Sequence, residues 1–282
     1  MIDLHLHTSF SYGDGYHSPA EVVGIAKRNG VRAIAITDHD TTEGISEAIA
    51  EGKRLGVEVI PSIEISSRYK GKSLHILGHF INACDEGLQS HINRMAKLRY
   101  EENLLWMGAL IGADIPFPDE DMTMFMRKGI NTLSYIISQA SKYSGKSADE
   151  LRKITGKILY LNSRMSSTTE IIRLIQNAGG IAVLAHPGRY KYSFDELVQI
   201  TRDLALEGLA GVEVYYSQYS PEITAFCKKL ADDNHLAYSG GTDFHGYAKN
   251  DGINIGFGLG NLHVPESVLD GLKLMREMSR ST

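Results

Sequence analysis

The chain has 282 residues, 43% hydrophobic and 22% charged, with a net charge of −5 and a sequence pI near 6.1. That is the composition of a globular protein long enough for one α/β barrel, and its acidity gives no general reason to expect a nucleic-acid or membrane partner. The two cysteines, Cys84 and Cys227, argue against a disulfide framework, and no apolar run approaches the ~18 residues of a membrane span, so a cytoplasmic location is expected.

Short β-branched runs alternate with longer amphipathic segments along the chain. A strand over Ile2–His5 precedes a helix over Pro19–Asn29, opened by Ser18-Pro19 and closed by Asn29-Gly30. Strand Val31–Thr37, helix Glu43–Leu55 and strands Val57–Ile63 and Ser73–Phe80 follow. The rhythm then breaks. From about 82 to 163 no convincing buried strand appears, but helical patterns run through Leu88–Leu110, Ile130–Tyr143 and Ala148–Ile154, with Pro116 and Pro118 punctuating the first gap. It resumes with helix Ser167–Ala178, strand Ile181–Ala185, helix Phe194–Glu207, strand Leu209–Val214, helix Pro221–Asn234 and strand His235–Gly241. Continuous apolar strands such as Val31–Ile36 indicate parallel β/α units covered on both faces. The pattern predicts an α/β seven-stranded (β/α)7 barrel, residues 1–81 and 164–282, with a helical insertion, 82–163, between strands four and five. In such barrels an insertion of this kind sits over the mouth formed by the βα loops, where it can shape a substrate pocket. The alternative reading of the insertion is an interaction or oligomerisation module.

Chemistry-bearing residues gather at the ends of these strands. His5 and His7, two apart on a strand, point to the same face. Asp14 lies in the loop after them. Asp38-His39-Asp40 ends strand two, Glu64 strand three, His186 strand five and Asp243-Phe244-His245 strand seven, while strand four contains His75. Six of seven strands thus deliver an acid or imidazole to what should be one end of the barrel, where ligands bind in this architecture. The set is all nitrogen and oxygen, which suits Zn²⁺, Mn²⁺ or Fe²⁺, and nine ligands imply two or three ions sharing a bridging carboxylate. Ions so clustered bind both attacking and leaving oxygens of a phosphoryl group, and a bridging water becomes hydroxide near neutral pH.

The order HxH, D-G, TDHD, E-(I/V)-S, HILG, AHPGRY and a terminal DFH resembles the PHP family, named for polymerase and histidinol phosphatase domains. The likeness is closest to its stand-alone phosphoesterases acting on small nucleotides or RNA ends. It covers the whole chain and implies a distorted seven-stranded barrel with up to three ions at its C-terminal face. By that resemblance His5, His7, Glu64 and Asp243 would hold the first ion. Glu64 as bridge, with His75 and His186, would hold the second, and Asp14, His39 and His245 the third. Glu64, His186 and Asp243 would then be catalytic, with the bridging hydroxide attacking phosphorus in line. Asp38 and Asp40 are expected to orient imidazoles, with leaving-group protonation a second option for Asp40.

Arg189, just after His186-Pro187, is placed to grip a phosphate, and Lys157 in Thr155-Gly156-Lys157 matches a Gly-Lys pair of related nucleotide phosphatases. Relatives acting on nucleoside 3′,5′-bisphosphates carry an Arg and a His where this chain reads Ile130-Asn-Thr-Leu-Ser-Tyr135, which puts a bisphosphate substrate in doubt. His79 is expected to pack, His17 to sit in a turn or replace Asp14, and His91, His235 and His263 to be structural, with Trp106 in a helical core. Gly240-Gly241 is expected to let the backbone approach the metals. The expected activity is metal-dependent hydrolysis of a small nucleotide or sugar phosphate, without a membrane or obligate protein partner. The alternatives are a 5′→3′ exonuclease on short RNA, a cyclic phosphodiesterase, a non-catalytic metal-binding module, and an amidohydrolase. The last would usually want a bridging carboxylated lysine and an eighth strand.

Overall fold

A computed structural model describes residues 1–11, 15–117, 133–156, 158, 162–249 and 251–280. Its strands are β1 (Ile2–Leu6), β2 (Ala33–Ile36), β3 (Glu58–Tyr69), β4 (Lys72–His79), β5 (Ile181–Leu184), β6 (Gly211–Tyr216) and β7 (Ala237–Gly241). The helices are α1 (Pro19–Arg28), α2 (Ile45–Leu55), α3 (Glu86–Ile111), α4 (Leu133–Ser144), α5 (Ala148–Thr155), α6 (Thr168–Asn177), α7 (Phe194–Leu206), α8 (Pro221–Asp233) and α9 (Glu266–Arg280). Four helices start with the same device. Ser18, Ser147, Ser167 and Ser193 each accept from the backbone N–H three residues on, while Glu21, Glu150, Glu170 and Glu196 bond back to the cap. Each such cap satisfies donors that the first helical turn leaves unpaired, at about 1 kcal/mol apiece.

The strands form one sheet in chain order, β1 to β7. β7 folds back against β1, where Asp243 N donates to His5 O and His7 N to Phe244 O, both at 2.9 Å, nearly closing a barrel. Gly241 makes that approach possible: a Cβ there would lie 2.4 Å from His5 N, and one on Gly240 would lie 2.5 Å from Tyr215 Cβ. The glycine pair therefore brings β7 against its neighbouring strands, at Gly241 against the backbone of His5 itself.

The expectation of parallel units needs a correction. β4 is antiparallel to both β3 and β5. Lys70 (φ 44°) and Gly71 (φ 85°) form the two-residue turn between β3 and β4, and positive φ at both positions is the geometry whose twist matches a hairpin. The reversal decides where histidines go. Ser66 pairs with His75 and Ser62 with His79, so His75 lies toward the turn end of the hairpin and His79 at the other. His79 is buried there, with Nδ1 3.0 Å from Ser62 Oγ, and burial lowers its pKa to about 3.

Helices α3, α4 and α5 lie between β4 and β5 in the chain and share a core of their own, in which Met107, Leu110, Ile136, Ile137 and Leu151 are buried and Trp106 packs against them. A further helix follows β7, beyond the elements expected from the sequence. α9 opens after Pro265 and buries Val268, Leu269 and Leu272 against Ile181 and Val183. Each fully buried apolar side chain contributes roughly 1.5–3 kcal/mol, so this closing helix is a substantial part of the core. No described helix is long and apolar enough to cross a membrane.

Candidate metal centre

His5 on β1 and His7 just past its end stand side by side, ring centroids 5.2 Å apart and both fully buried. Each is oriented from behind. His5 Nδ1 lies 3.0 Å from Glu213 Oε1 and His7 Nδ1 lies 3.0 Å from Ser11 Oγ, so both Nε2 atoms face inward. There they meet Glu64 Oε2 at 3.3 Å and Asp243 Oδ1 at 3.4 Å (His5) and 3.0 Å (His7). Glu64 is the hub. Its Oε1 also faces His75 Nδ1 at 2.9 Å and His186 Nε2 at 3.0 Å, and its Oε2 faces His39 Nδ1 at 2.9 Å. His245 stacks on His7 at 4.2 Å, and His39 lies 4.5 Å from His7.

Backbone strain is built into the site. Asp40 (φ 51°), His186 (φ 29°) and Asp243 (φ 55°) adopt the left-handed region that non-glycine residues avoid, at a cost of order 1–3 kcal/mol each. Specific bonds hold each in place: Asp40 N to Glu64 O at 2.8 Å, His186 N to Glu213 Oε2 at 2.7 Å, and Asp243 N to His5 O at 2.9 Å.

Three groups of ligand atoms lie within 4.8 Å of one another: His5, His7, Glu64 and Asp243; His39, Glu64 and His75; and His7, His39 and His245. Burial resists charging Glu64 and Asp243, yet the imidazoles around them hold both carboxyls well below the ordinary range. Burial likewise resists charging His5, but Glu213, Glu64 and Asp243 outweigh it and push its pKa well up. His7, buried and beside His245 and His39, is pushed well down and kept neutral, the form that ligates a metal. Among the described residues, His5 Nε2 and Glu64 Oε2 are buried with no contact of hydrogen-bond geometry, although Oε2 lies 2.9–3.3 Å from the imidazoles of His39, His5 and His7. Converging buried nitrogen and oxygen donors left unsatisfied in this way fit divalent cations of the zinc, manganese or iron type.

Residues 3–241 match the family model described as PHP domain. The chain belongs to the PHP domain family. A 5′-3′ exoribonuclease, Rnm, of Escherichia coli (strain K12) is 32% identical over 252 residues, spanning 87% of this chain and 85% of that protein. A 3′,5′-nucleoside bisphosphate phosphatase of Chromobacterium violaceum is 28% identical over 250 residues, 86% of this chain and 87% of that one. Among solved structures, an amidohydrolase from Chromobacterium violaceum superposes with a TM-score of 0.79 at 24% identity, covering 97% of this chain and 96% of that one, which establishes the shared fold. With its hydrolase relatives and this site, the PHP chain is a phosphoester hydrolase.

Of the site residues read from the sequence, the fold brings His5, His7, His39, Glu64, His75, His186, Asp243 and His245 together, and sets Arg189 at their rim. Asp14, Lys157 and the segment 118–132 fall outside the described residues. Asp38 does not orient an imidazole. Its buried carboxylate accepts from Thr8 N at 2.6 Å and Thr8 Oγ1 at 2.7 Å, pinning the loop after β1, and burial raises its pKa to about 6. The carboxylate that orients an imidazole is Glu213 on β6, which had not been singled out. Asp3 was missed too. It accepts from Thr242 N and Oγ1 and from Gly256 N at 2.7–2.9 Å, tying β1 to the loop that carries Asp243. From α3, Arg99 donates to Asp40 Oδ2 at 2.7 Å, and its helical spacing gave no sign of that reach. His17 stacks on Phe244 with ring centroids 5.9 Å apart.

Proposed function

We propose that this PHP protein hydrolyses the terminal phosphate ester of a small nucleotide or sugar phosphate, using two or three divalent ions held in the barrel mouth. The observation that carries this reading is the shared use of Glu64, whose two carboxylate oxygens face five imidazoles from three strand ends and the hairpin. His5, His7, Glu64 and Asp243 would hold one ion, Glu64 with His75 and His186 a second, and His39 and His245 a third, with Asp14 as its further ligand. Bound there, such ions act as Lewis acids on phosphoryl oxygens and make water nucleophilic at neutral pH.

The chain's own side chains supply the rest. Arg189, 49% exposed, offers guanidinium N–H groups beside Asp243, where one face of a phosphate would sit. Both oxygens of Asp40 accept, from Ser66 N at 3.0 Å and from Arg99, an arrangement suited to holding Arg99 rather than to protonating a leaving group. Helices α3–α5 would form the cap over the substrate, with Arg99 as their point of contact with the mouth. The similarity to Rnm supports a second reading, 5′→3′ removal of nucleotides from short RNA. Against it stands the acidic chain, since long single strands are usually tracked by a basic groove.

Phosphate release from mononucleotides, bisphosphates, cyclic phosphates and short RNAs, with Mn²⁺ supplied, tests both readings. Turnover of mononucleotides is the expected result. A salt-sensitive preference for oligonucleotides would favour the exonuclease, and no turnover by metal-loaded protein would overturn hydrolysis altogether.

A further inference from the structure

The two oxygens of Asp243 are put to different uses. Oδ1 faces His5 and His7 inside the cluster, while Oδ2 accepts a 2.6 Å hydrogen bond from the hydroxyl of Tyr216, the last residue of β6. A phenol has one proton to give. With it committed to Asp243, the Tyr216 oxygen acts as acceptor toward Arg189, whose Nη1 donates to it at 2.7 Å. The chain of donation therefore runs in one direction, from guanidinium to phenol to carboxylate. The Arg189 guanidinium carbon also lies 5.8 Å from the Tyr216 ring centroid.

Tyr216 is itself fixed. Its ring is 2% exposed and packs 4.9 Å from that of Tyr219. Tyr219 in turn accepts from Gly188 N at 2.9 Å. The turn Pro187–Arg189 is thus tied twice, through backbone at Gly188 to Tyr219 in the loop after β6 and through side chain at Arg189 to Tyr216 at the strand's end.

We infer that Tyr216 is a positioning residue with two effects: it restricts Asp243 to offering a single oxygen to a metal, and it holds the Arg189 guanidinium against the phosphate of the substrate. One of the five guanidinium N–H groups is spent on Tyr216, which leaves the others for a phosphate monoester. This rests on the phosphoesterase reading of the site, and it adds a residue that couples the substrate grip to a metal ligand.

The test is a double-mutant cycle with Tyr216→Phe, which keeps the ring, and Arg189→Met. The affinity of Mn²⁺-loaded protein for inorganic phosphate is measured by calorimetry, and that of metal-free protein for Mn²⁺ by competition with a chelator. Tyr216→Phe should weaken phosphate binding by roughly five- to tenfold. Arg189→Met should weaken it at least as much, and the double variant should match Arg189→Met within about twofold. Tyr216→Phe should also weaken Mn²⁺ binding by about tenfold, as loss of a ligand's supporting bond does, while Arg189→Met leaves it unchanged. Losses in phosphate affinity that multiply across the cycle would overturn the coupling, as would Mn²⁺ affinity unaltered by Tyr216→Phe. Arg189→Met stands as an independent arm because its half-exposed side chain leaves the core untouched, and unchanged phosphate affinity there refutes the proposal. Neither measurement needs turnover. A wild-type protein that binds Mn²⁺ and phosphate but releases no phosphate from any ester overturns the hydrolytic reading and leaves both binding results standing.

Discussion

Replacing Glu213 by Gln isolates the support behind the metal centre, because the new side chain keeps the shape and loses only charge and acceptor symmetry. The wild-type carboxylate is fully buried and accepts at both oxygens, from His5 Nδ1 at 3.0 Å and His186 N at 2.7 Å. An amide has one acceptor and one donor end, so it can accept from only one of them. If its oxygen faces His5, the His186 N–H meets an NH₂ group and is left buried without an acceptor. If its oxygen faces His186, the NH₂ donates to His5 Nδ1, the imidazole proton moves to Nε2, and the atom aimed at Glu64 and Asp243 can no longer ligate. The first outcome leaves an unmet donor costing ~1–3 kcal/mol, and the second keeps both partners but replaces hydrogen bonds to a charged carboxylate, worth ~1.5–3 kcal/mol each, with neutral ones worth ~1 kcal/mol. By either route the metal-free protein should lose about 2 kcal/mol of stability in urea denaturation. Mn²⁺ affinity, measured against a competing chelator, should fall about 10- to 100-fold. A Gln variant within 1 kcal/mol of wild type (~1 kcal/mol being the worth of one neutral hydrogen bond) and with undiminished Mn²⁺ affinity would refute the argument.

Gly241→Ala would place a methyl group 2.4 Å from His5 N, forcing β7 off β1, and should cost about 3 kcal/mol in denaturant unfolding, whereas Gly271→Ala, where nothing lies within 4 Å, should not. His79 has its pKa lowered by burial to about 3 from 6.5, so the unfolded chain binds the proton that the folded chain refuses. Its contribution to stability is full above pH 6.5 and is lost as the pH falls toward 3, by on the order of 3 kcal/mol at pH 4.5, and the difference between wild type and His79→Gln across that range measures it. Asp243→Asn should abolish phosphate release under conditions in which wild type turns over, and unchanged activity would remove Asp243 from the mechanism. Chelation should abolish activity and lower the melting temperature, and Mn²⁺ at about a hundred times its dissociation constant should restore roughly 2.7 kcal/mol.

The candidate site was legible because its ligands sit where the strand period alone fixes their direction. Two residues apart in the extended segment that forms β1 and its end, His5 and His7 could face only one side, and Asp38–Asp40, Glu64, His186 and Asp243 follow apolar runs whose ends mark the barrel mouth. His75 reached the same place for a different reason. A repeat of parallel units would make β4 parallel, yet a residue in the first half of a strand can join the C-terminal ends of its neighbours only if that strand is reversed. Lys70-Gly71, a two-residue turn between strand-like runs, was the available signal for that reversal.

What escaped notice has a common physical form. Asp3 lies within Ile2-Asp3-Leu4 and Glu213 within Val212-Glu213-Val214, each an acid inside an apolar run. Read by period, they look like interruptions of a strand. Read by energetics, an ionisable group in a strand covered on both faces must find partners or lose its charge. Both acids find partners here. Asp3, with four neutral donors, has its pKa raised by burial to about 6, whereas Glu213 faces the His5 imidazole and helps to protonate it. The acids at strand ends name the ligands, and the acids inside the strands name what holds those ligands in place. Arg99 obeys neither rule. It reaches Asp40 from α3, a helix whose rotation and docking are decided by packing against other elements, and such contacts are set by the tertiary structure rather than by any local spacing.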